Sequence, residues 1–434
     1  MSLAMLGVSG IFLLLLVIFF LRIPVGFAMA MTGFAGFALA VNSRAALGML
    51  GDETWKVFSA YGFTVIPLFI FMGQICFHAG VNKRLYQAAH AWLGHIRGGI
   101  AMASILACAG FSAICGSNTA TAATMAAVAL PEMRKYGYDS LLSTGSVAAG
   151  ATLGVLIPPS VVLIIIGLQT GQNIGTLFWA ALGPGLIMTL LLMSTVGFFC
   201  RRHPAAGPAG TRAAWKKRFV SLKGSVEMLL LFLLIMVGLI AGFFTPSQAG
   251  AVGSFLALII ALAGRNLSFK GFCLSVADTL RISAMIMVII WGAVVFGRFL
   301  AVTRIPFAVA QGVESLDIPG WMIMLAVAGI YIIGGAVMDA LALLIITIPI
   351  FFPLAQTLGY DPVWFAVYIT LVTSLGAITP PVGINTFIVG SMAPDVPLPR
   401  VFKGVMLFVP CFILAIVILL LWPGMALLLP GLFA

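Results

Sequence analysis

Ser117-Asn118-Thr119 follows Gly116 in a segment of small apolar residues, and the run gathers two hydroxyls and an amide at one point of the chain. Further on, Gly154-Val155-Leu156-Ile157-Pro158-Pro159 interrupts the apolar run from Leu141 to Leu168. Two consecutive prolines remove two backbone donors and clash with the preceding turn, so a helix must break near Ile157 and free its carbonyls. The device returns 222 residues later as Gly376-Ala377-Ile378-Thr379-Pro380-Pro381. All these groups offer oxygen, and a hard cation such as Na+ takes oxygen ligands. Gly116, Ser117, Asn118, Gly154 and Ile157 can supply one cage; Gly335, Thr373, Gly376 and Thr379 can supply its twin, with Asp339 as a carboxylate partner. Helix N-termini at the same breaks present free N–H groups and positive dipole ends, which suit an anionic solute, above all a carboxylate. Asn118-Thr119, Pro158-Pro159 and Pro380-Pro381 mark those termini. Two cation cages flanking an anion site would couple Na+ to a negatively charged substrate.

Asp339 carries two readings. It is the sole acid between Asp317 and Asp361, and no Lys or Arg occurs between Arg304 and Arg400. An ionised carboxylate at membrane depth costs about 2.5–3.5 kcal/mol or more and normally marks function. Its place just after Gly334-Gly335 also suits a helix N-cap. The tip at residues 116–119 likewise has an alternative, a hydrogen-bonded packing interface between helices rich in Ala, Ser and Thr.

The elements that must hold these residues are membrane helices. With 62% hydrophobic and 8% charged residues and a mean hydropathy of +1.20, the 434-residue chain is not a soluble domain. The net charge of +11 sits in loops between apolar spans, where it sets orientation, and does not form a nucleic-acid surface. The six cysteines show no CxxC and the four histidines no HExxH. The cysteines read as small hydrophobes, and no transition-metal site is expected.

Spans are expected near 3–21, 24–41 and 60–80, with a polar loop from Asn42 to Lys56 and an amphipathic surface helix over 82–97. An interrupted hairpin segment covers 98–131, a broken helix 140–168 and a span 175–199. After a basic linker at 201–223 the order repeats: spans near 226–244, 246–264 and 281–300, a surface stretch at 305–317, a hairpin at 320–353, a broken helix at 363–390 and a last span at 402–422. Pro24 and Pro246, Pro131 and Pro353, and Gly137-Tyr138-Asp139 and Gly359-Tyr360-Asp361 share the 222-residue offset, so the chain is a duplication of halves 1–200 and 224–434. Each hairpin arm is about 25 Å long, short for a hydrocarbon core of about 30 Å, and a re-entrant hairpin and two full spans give the same loop charges. Five crossings per half invert the second half relative to the first. Putting the linker in the cytoplasm places 18 of the 22 Lys and Arg there, Arg22 included, and leaves both termini outside. An all-α polytopic protein with an inverted repeat of about five spans plus one hairpin per half, and a discontinuous helix in each, is the pattern of a secondary transporter.

Phe111-Ser112-Ala113-Ile114-Cys115-Gly116-Ser117-Asn118-Thr119-Ala120-Thr121-Ala122-Ala123, Pro131-Glu132-Met133 with Gly137-Tyr138, Gly154 to Ser160, and Thr379-Pro380-Pro381-Val382-Gly383-Ile384-Asn385 resemble the large membrane subunit of tripartite ATP-independent periplasmic (TRAP) transporters. The resemblance spans nearly the whole chain. It implies a sodium-coupled importer of organic acids in the bacterial inner membrane that moves a transport domain through the bilayer by an elevator motion, and it adds Asn385 to the substrate group. It also implies two partners, a small four-helix membrane subunit and a periplasmic substrate-binding protein. No fused small subunit precedes residue 1, so a separate chain is expected. Dicarboxylates, sialic acids, sugar acids and keto acids all satisfy it. The nearest alternative is a stand-alone sodium/dicarboxylate symporter, whose second hairpin would repeat a Ser-Asn-Thr-like tip; residues 335–340 do not. An intramembrane aspartyl protease needs two carboxylates sharing a proton, and only Asp339 lies deep in an apolar segment. No GxSxG occurs, and no repeated filter or charged ring marks a channel.

Overall fold

The computed structural model describes residues 3–21, 23–314 and 318–433; Arg22 and the end of the 305–317 surface stretch lie outside the described residues. Every described element is a helix, as a chain without water partners for its backbone requires. Eight helical stretches among the described residues are long and apolar enough to cross a membrane.

The first half opens with helices Leu3–Leu21 and Val25–Ala40, followed by Ser43–Ser59 and Val65–His78. The second opens with Trp215–Ile240, Pro246–Ala263 and the 34-residue helix Phe269–Val302. The two sets interlock. Helix 269–302 lies against 25–40, where a Cβ on Gly33 would stand 2.7 Å from the Phe296 backbone, and helix 246–263 lies against 65–78. Such close helix approaches through small residues are how membrane helices gain contact when apolar burial gives no advantage over lipid.

Surface helix Val81–Leu93 leads to the first hairpin, Gly99–Cys115 and Asn118–Lys135; Ile305–Glu314 leads to the second, Gly320–Val337 and Ala340–Thr357. The first broken helix comprises Ser140–Ala151, Leu153–Leu156 and Val161–Thr170, and the second comprises Pro362–Gly376 and Ile384–Ser391. The arms beyond the breaks cross over. Residues 161–170 pack on the second hairpin's helix 340–357, and residues 384–391 pack on 118–135 and 140–151 of the first half.

Several boundaries differ from the sequence expectation. The polar loop at 42–56 is a helix, because the Asn42 side chain accepts the Ala45 N–H at 2.7 Å and buried Glu53 is held by Arg298 at 2.9 Å. The linker is helical from Trp215, so the irregular connection is only 203–214 with one short turn. The expected last span is split into Leu398–Met406 and Val409–Leu421, since Pro410 lacks the donor that would continue the helix. A further helix follows at Gly424–Phe433.

Two ion pairs join the halves at one face. Arg134 meets Asp395 at 2.5 Å, and Arg400 meets Asp139 at 3.0 Å. Asp139 also caps helix 140–151 through the Leu141 N–H at 2.8 Å. Partial burial raises its pKa, but the Leu141 N–H and the Arg400 guanidinium outweigh that and hold the carboxyl below the usual carboxylate range. Asp139→Ala should therefore destabilise the folded chain by about 1 kcal/mol, mostly through the lost cap, since the ion pair is half exposed. A depressed folded-state pKa means the contribution is whole above about pH 4 and fades as pH falls through the folded value. Thermal melts of wild type and variant in detergent should converge on acidification; a constant gap would place the effect elsewhere.

Candidate functional site

Each helix break is covered by the tip of its own half's hairpin. In the first half, the helix stops after Leu156, Pro158 and Pro159 are buried, and Ser160 restarts the helix by accepting the Leu163 N–H at 3.4 Å. The Val161 N–H then donates to the Gly116 carbonyl at 3.3 Å. Gly116 turns the hairpin at φ +62°, and a Cβ there would lie 2.6 Å from the Pro159 carbonyl oxygen. A Cβ on Gly154 would come within 2.5 Å of the Ser117 carbonyl oxygen. In the second half, the Val382 and Gly383 N–H groups donate to the Ala336 carbonyl at 3.1 and 3.0 Å, and Gly335 and Gly376 meet so closely that a Cβ on Gly376 would sit 2.8 Å from the Gly335 Cα. Both Pro–Pro peptide bonds are cis.

The two tips converge on one cavity of about 350 Å³. Gly116, Ser117, Asn118 and Thr119 line it from the first hairpin, and Asp339 lines it from the second. Gln74 from helix 65–78 and Ile282 from helix 269–302 close other walls. Ser117 and Asp339, 222 residues apart, play the same local part, each starting the second helix of its hairpin as N-cap. Ser117 Oγ accepts the Ala120 N–H at 3.4 Å and lies 3.2 Å from Thr119 Oγ1, and the Asp339 carboxylate accepts the Leu341 N–H at 3.0 Å. The capping alternative for Asp339 is thus real geometry, and the residue also lines the cavity.

Asn118 is the least satisfied group there. Only 5% of it is exposed, yet neither its Oδ1 nor its Nδ2 has a protein hydrogen-bond partner. Burying an unmatched amide costs about 1–3 kcal/mol, which a fold tolerates where a ligand supplies the partner. Asn385, fully buried beyond the second break, is in the same condition, although its backbone N–H donates to the Ala377 carbonyl at 3.0 Å. The donor set of a hydroxyl, a free amide oxygen and a carboxylate suits a hard cation, and the amide nitrogen suits an anion.

Gly154, Ile157, Gly335, Thr373, Gly376 and Thr379 do not line this cavity, which takes only Val155, Val161 and Val162 from around the first break. Thr373 is buried and Thr379 half-buried; each donates its hydroxyl hydrogen to the carbonyl four residues back, at 2.6 and 2.7 Å, and keeps its lone pairs. Pro380 and Pro381 are exposed where Pro158 and Pro159 are buried, so the two breaks face different surroundings. Sequence reasoning missed Gln74, whose signal was a lone amide in an apolar run, and Ile282, Met285 and Ile286, which carry none.

An all-helical, multi-pass fold whose two hairpin tips bring polar groups to one largely apolar cavity is that of a membrane transport protein. Its fold is similar to that of the Alcanivorax borkumensis YdaH transporter, with a TM-score of 0.58 over 85% of this chain and 87% of that one at 14% identity. Residues 12–425 match the family described as the DctM component of tripartite ATP-independent periplasmic transporters, and the chain belongs to that family. It is 32% identical over 383 residues to the C4-dicarboxylate TRAP transporter large permease protein DctM of Pseudomonas aeruginosa, covering 88% of this chain and 89% of that one. It is 31% identical over 420 residues to the sialic acid TRAP transporter large permease protein SiaM of Vibrio cholerae, covering 95% and 96%. The isethionate TRAP transporter permease protein DctMQ of Oleidesulfovibrio alaskensis is 30% identical over 86% of this chain and 58% of its own length.

If the Asn118 amide serves a ligand, Asn118→Leu should leave the melting temperature of the ligand-free protein unchanged or slightly raised, because an unmatched polar group is gone. Uptake should fall roughly five- to hundredfold, the equivalent of about 1–3 kcal/mol. A variant that melts much lower than wild type would assign the amide to packing.

Proposed function

We propose that this protein is the large permease of a sodium-coupled importer of organic acids in the bacterial inner membrane. The observation that carries the proposal is the unmatched Asn118 amide at the first hairpin tip, set in one cavity with Ser117 and the Asp339 carboxylate. Relatives named for C4-dicarboxylate, sialic acid and isethionate all handle organic anions, which supports an anionic solute. The first Na+ takes oxygens from Gly116, Ser117, Asn118, Gly154 and Ile157, and the second from Gly335, Thr373, Gly376 and Thr379, with Asp339 balancing charge near the solute. The solute's carboxylate meets the N–H-rich helix starts at Asn118-Thr119 and beyond Pro158-Pro159 and Pro380-Pro381, with Asn385 beneath.

The inverted arrangement has its support in helix Ile174–Arg202, 29 residues and about 43 Å long. Beyond its C-terminal end, the Ala206 and Gly207 carbonyls accept the N–H groups of Asp139 and Gly98 at the base of the first hairpin. At its N-terminal end, Asn173 and Thr176 share a cleft with Asp361 at the base of the second. The hairpins therefore enter from opposite ends of one helix. The first end carries Arg201, Arg202 and the basic connection, which the positive-inside rule places in the cytoplasm. Both termini are then periplasmic, and each hairpin with its broken helix moves as one body against the interlocked frame helices. The name of the family, tripartite, supports two partners, a small four-helix membrane subunit and a periplasmic binding protein that delivers the solute.

Two measurements test this. With both partners in proteoliposomes, an inward Na+ gradient should drive accumulation of a labelled C4-dicarboxylate, sialic acid or another organic acid, and collapsing the gradient should abolish it. Accumulation that ignores Na+ would sink the coupling. Cys273 is the one exposed cysteine among the described residues, so Cys273→Ser gives a silent background. In it, Arg212→Cys should label only from the cytoplasm and Lys56→Cys only from the periplasm. Labelling of both from one face would break the inverted arrangement.

A further inference from the structure

A larger cavity, about 770 Å³, lies well away from the hairpin tips. Its walls are surface helix 81–93, the lower turns of hairpin helix 118–135, and the connection running into helix 215–240. Its charged lining is Lys83, Lys217 and Glu132, with polar groups from Gln87, His90, Thr211 and Ser221 and aromatic faces from Tyr86 and Tyr136. None of those three charged groups forms an ion pair with another described residue. Just behind Lys83, Arg84 keeps its Nε and Nη2 buried without partners. Residues of both charge signs thus line one open space without pairing directly.

The depth of the cavity is marked independently. Trp92 and Trp215 meet edge to face at 6.3 Å, Phe219 packs on both, and the Arg218 guanidinium lies 5.2 Å from the Trp215 ring centre. Trp215 and Phe219 remain 59% and 60% exposed. A cluster of exposed tryptophan and phenylalanine beside basic residues is the composition of a membrane–water boundary, where headgroups lie. Val220, also exposed, lines the cavity, and on its side of helix 215–240 the exposed residues beyond are Glu227, Leu230 and Leu234.

We propose that this cavity binds the headgroup of a phosphoethanolamine phospholipid. Lys83 and Lys217 face its phosphate, Glu132 accepts hydrogen bonds from its primary ammonium, and the acyl chains leave past Val220 along the exposed side of helix 215–240. A single anionic headgroup would leave Glu132 repelled, and a trimethylated one would have no N–H to give it. The lipid so held touches the surface helix, the hairpin helix that carries Ser117 at its other end, and a frame helix. The site stands or falls separately from the sodium and organic-acid assignments, because its test reads lipid retention and not transport.

The test is native mass spectrometry of the purified full chain in detergent, with equimolar phosphatidylethanolamine, phosphatidylcholine and phosphatidylglycerol of identical acyl chains. Wild type should retain phosphatidylethanolamine at least threefold over either competitor. Glu132→Gln should erase the preference over phosphatidylcholine, and Lys83→Gln with Lys217→Gln should lower retention of phosphatidylethanolamine severalfold. Lys270→Gln, outside the cavity, should change nothing. Melting temperatures within a few degrees of wild type certify that the variants are folded. Equal retention of the three lipids by wild type, or an undiminished preference in Glu132→Gln, would overturn the site. Displacement of the bound lipid by equimolar soluble phosphoethanolamine would overturn the lipid as its occupant.

Discussion

Everything in this molecule depends on what happens to a helix broken inside an apolar protein. Ending a helix strands several N–H and C=O groups, and each one left without a partner at membrane depth costs several kcal/mol. Here the hairpin tips supply part of the missing bonding: Gly116 accepts from Val161, and Ala336 accepts from Val382 and Gly383. Tip and break are therefore mutually dependent. The tip needs a backbone it can approach, and the break needs a partner that can reach it.

That dependence explains where the glycines lie. At Gly154 a methyl group would strike the Ser117 carbonyl, and at Gly376 it would strike Gly335. The close approach leaves no room for water between tip and break, and it presents the helix starts toward the shared cavity. Because the arm beyond each break packs on the opposite half's hairpin or broken helix, the two tips are held facing one shared space. A cavity lined by Ser117 from one half and Asp339 from the other is the consequence.

The halves have diverged within this common plan. Ser117 and Asp339 share a capping role, but one brings a neutral hydroxyl and the other a carboxylate. The first Pro–Pro pair is buried and the second exposed. In the frame, helix 269–302 is continuous where the first half divides into 43–59 and 65–78 around a short 3-10 turn. Two similar hairpin-and-break arrangements thus bring two unlike chemical ends, a hydroxyl and a carboxylate residue, to one cavity.

Much of this was legible without coordinates. The Pro–Pro pairs forced two breaks, since proline's missing donor and ring clash are local facts that no packing can undo. The 222-residue offset pairs the two breaks and their capping residues Ser117 and Asp339, and the tip at Ser117-Asn118 was readable because polar residues are expensive in an apolar segment. Local chemistry also explains what sequence reasoning missed at 42–59, where the Asn42 cap was visible but the Arg298 partner that holds Glu53 lies 245 residues away. Only the tertiary structure decided that Asp339 borders the same cavity as Asn118, while Thr373, Thr379 and the second Pro–Pro pair stay outside it. It alone decided that Asn118 and Asn385 are left unmatched, because hydrogen-bond satisfaction depends on which distant groups arrive and cannot be read from a residue's own neighbours.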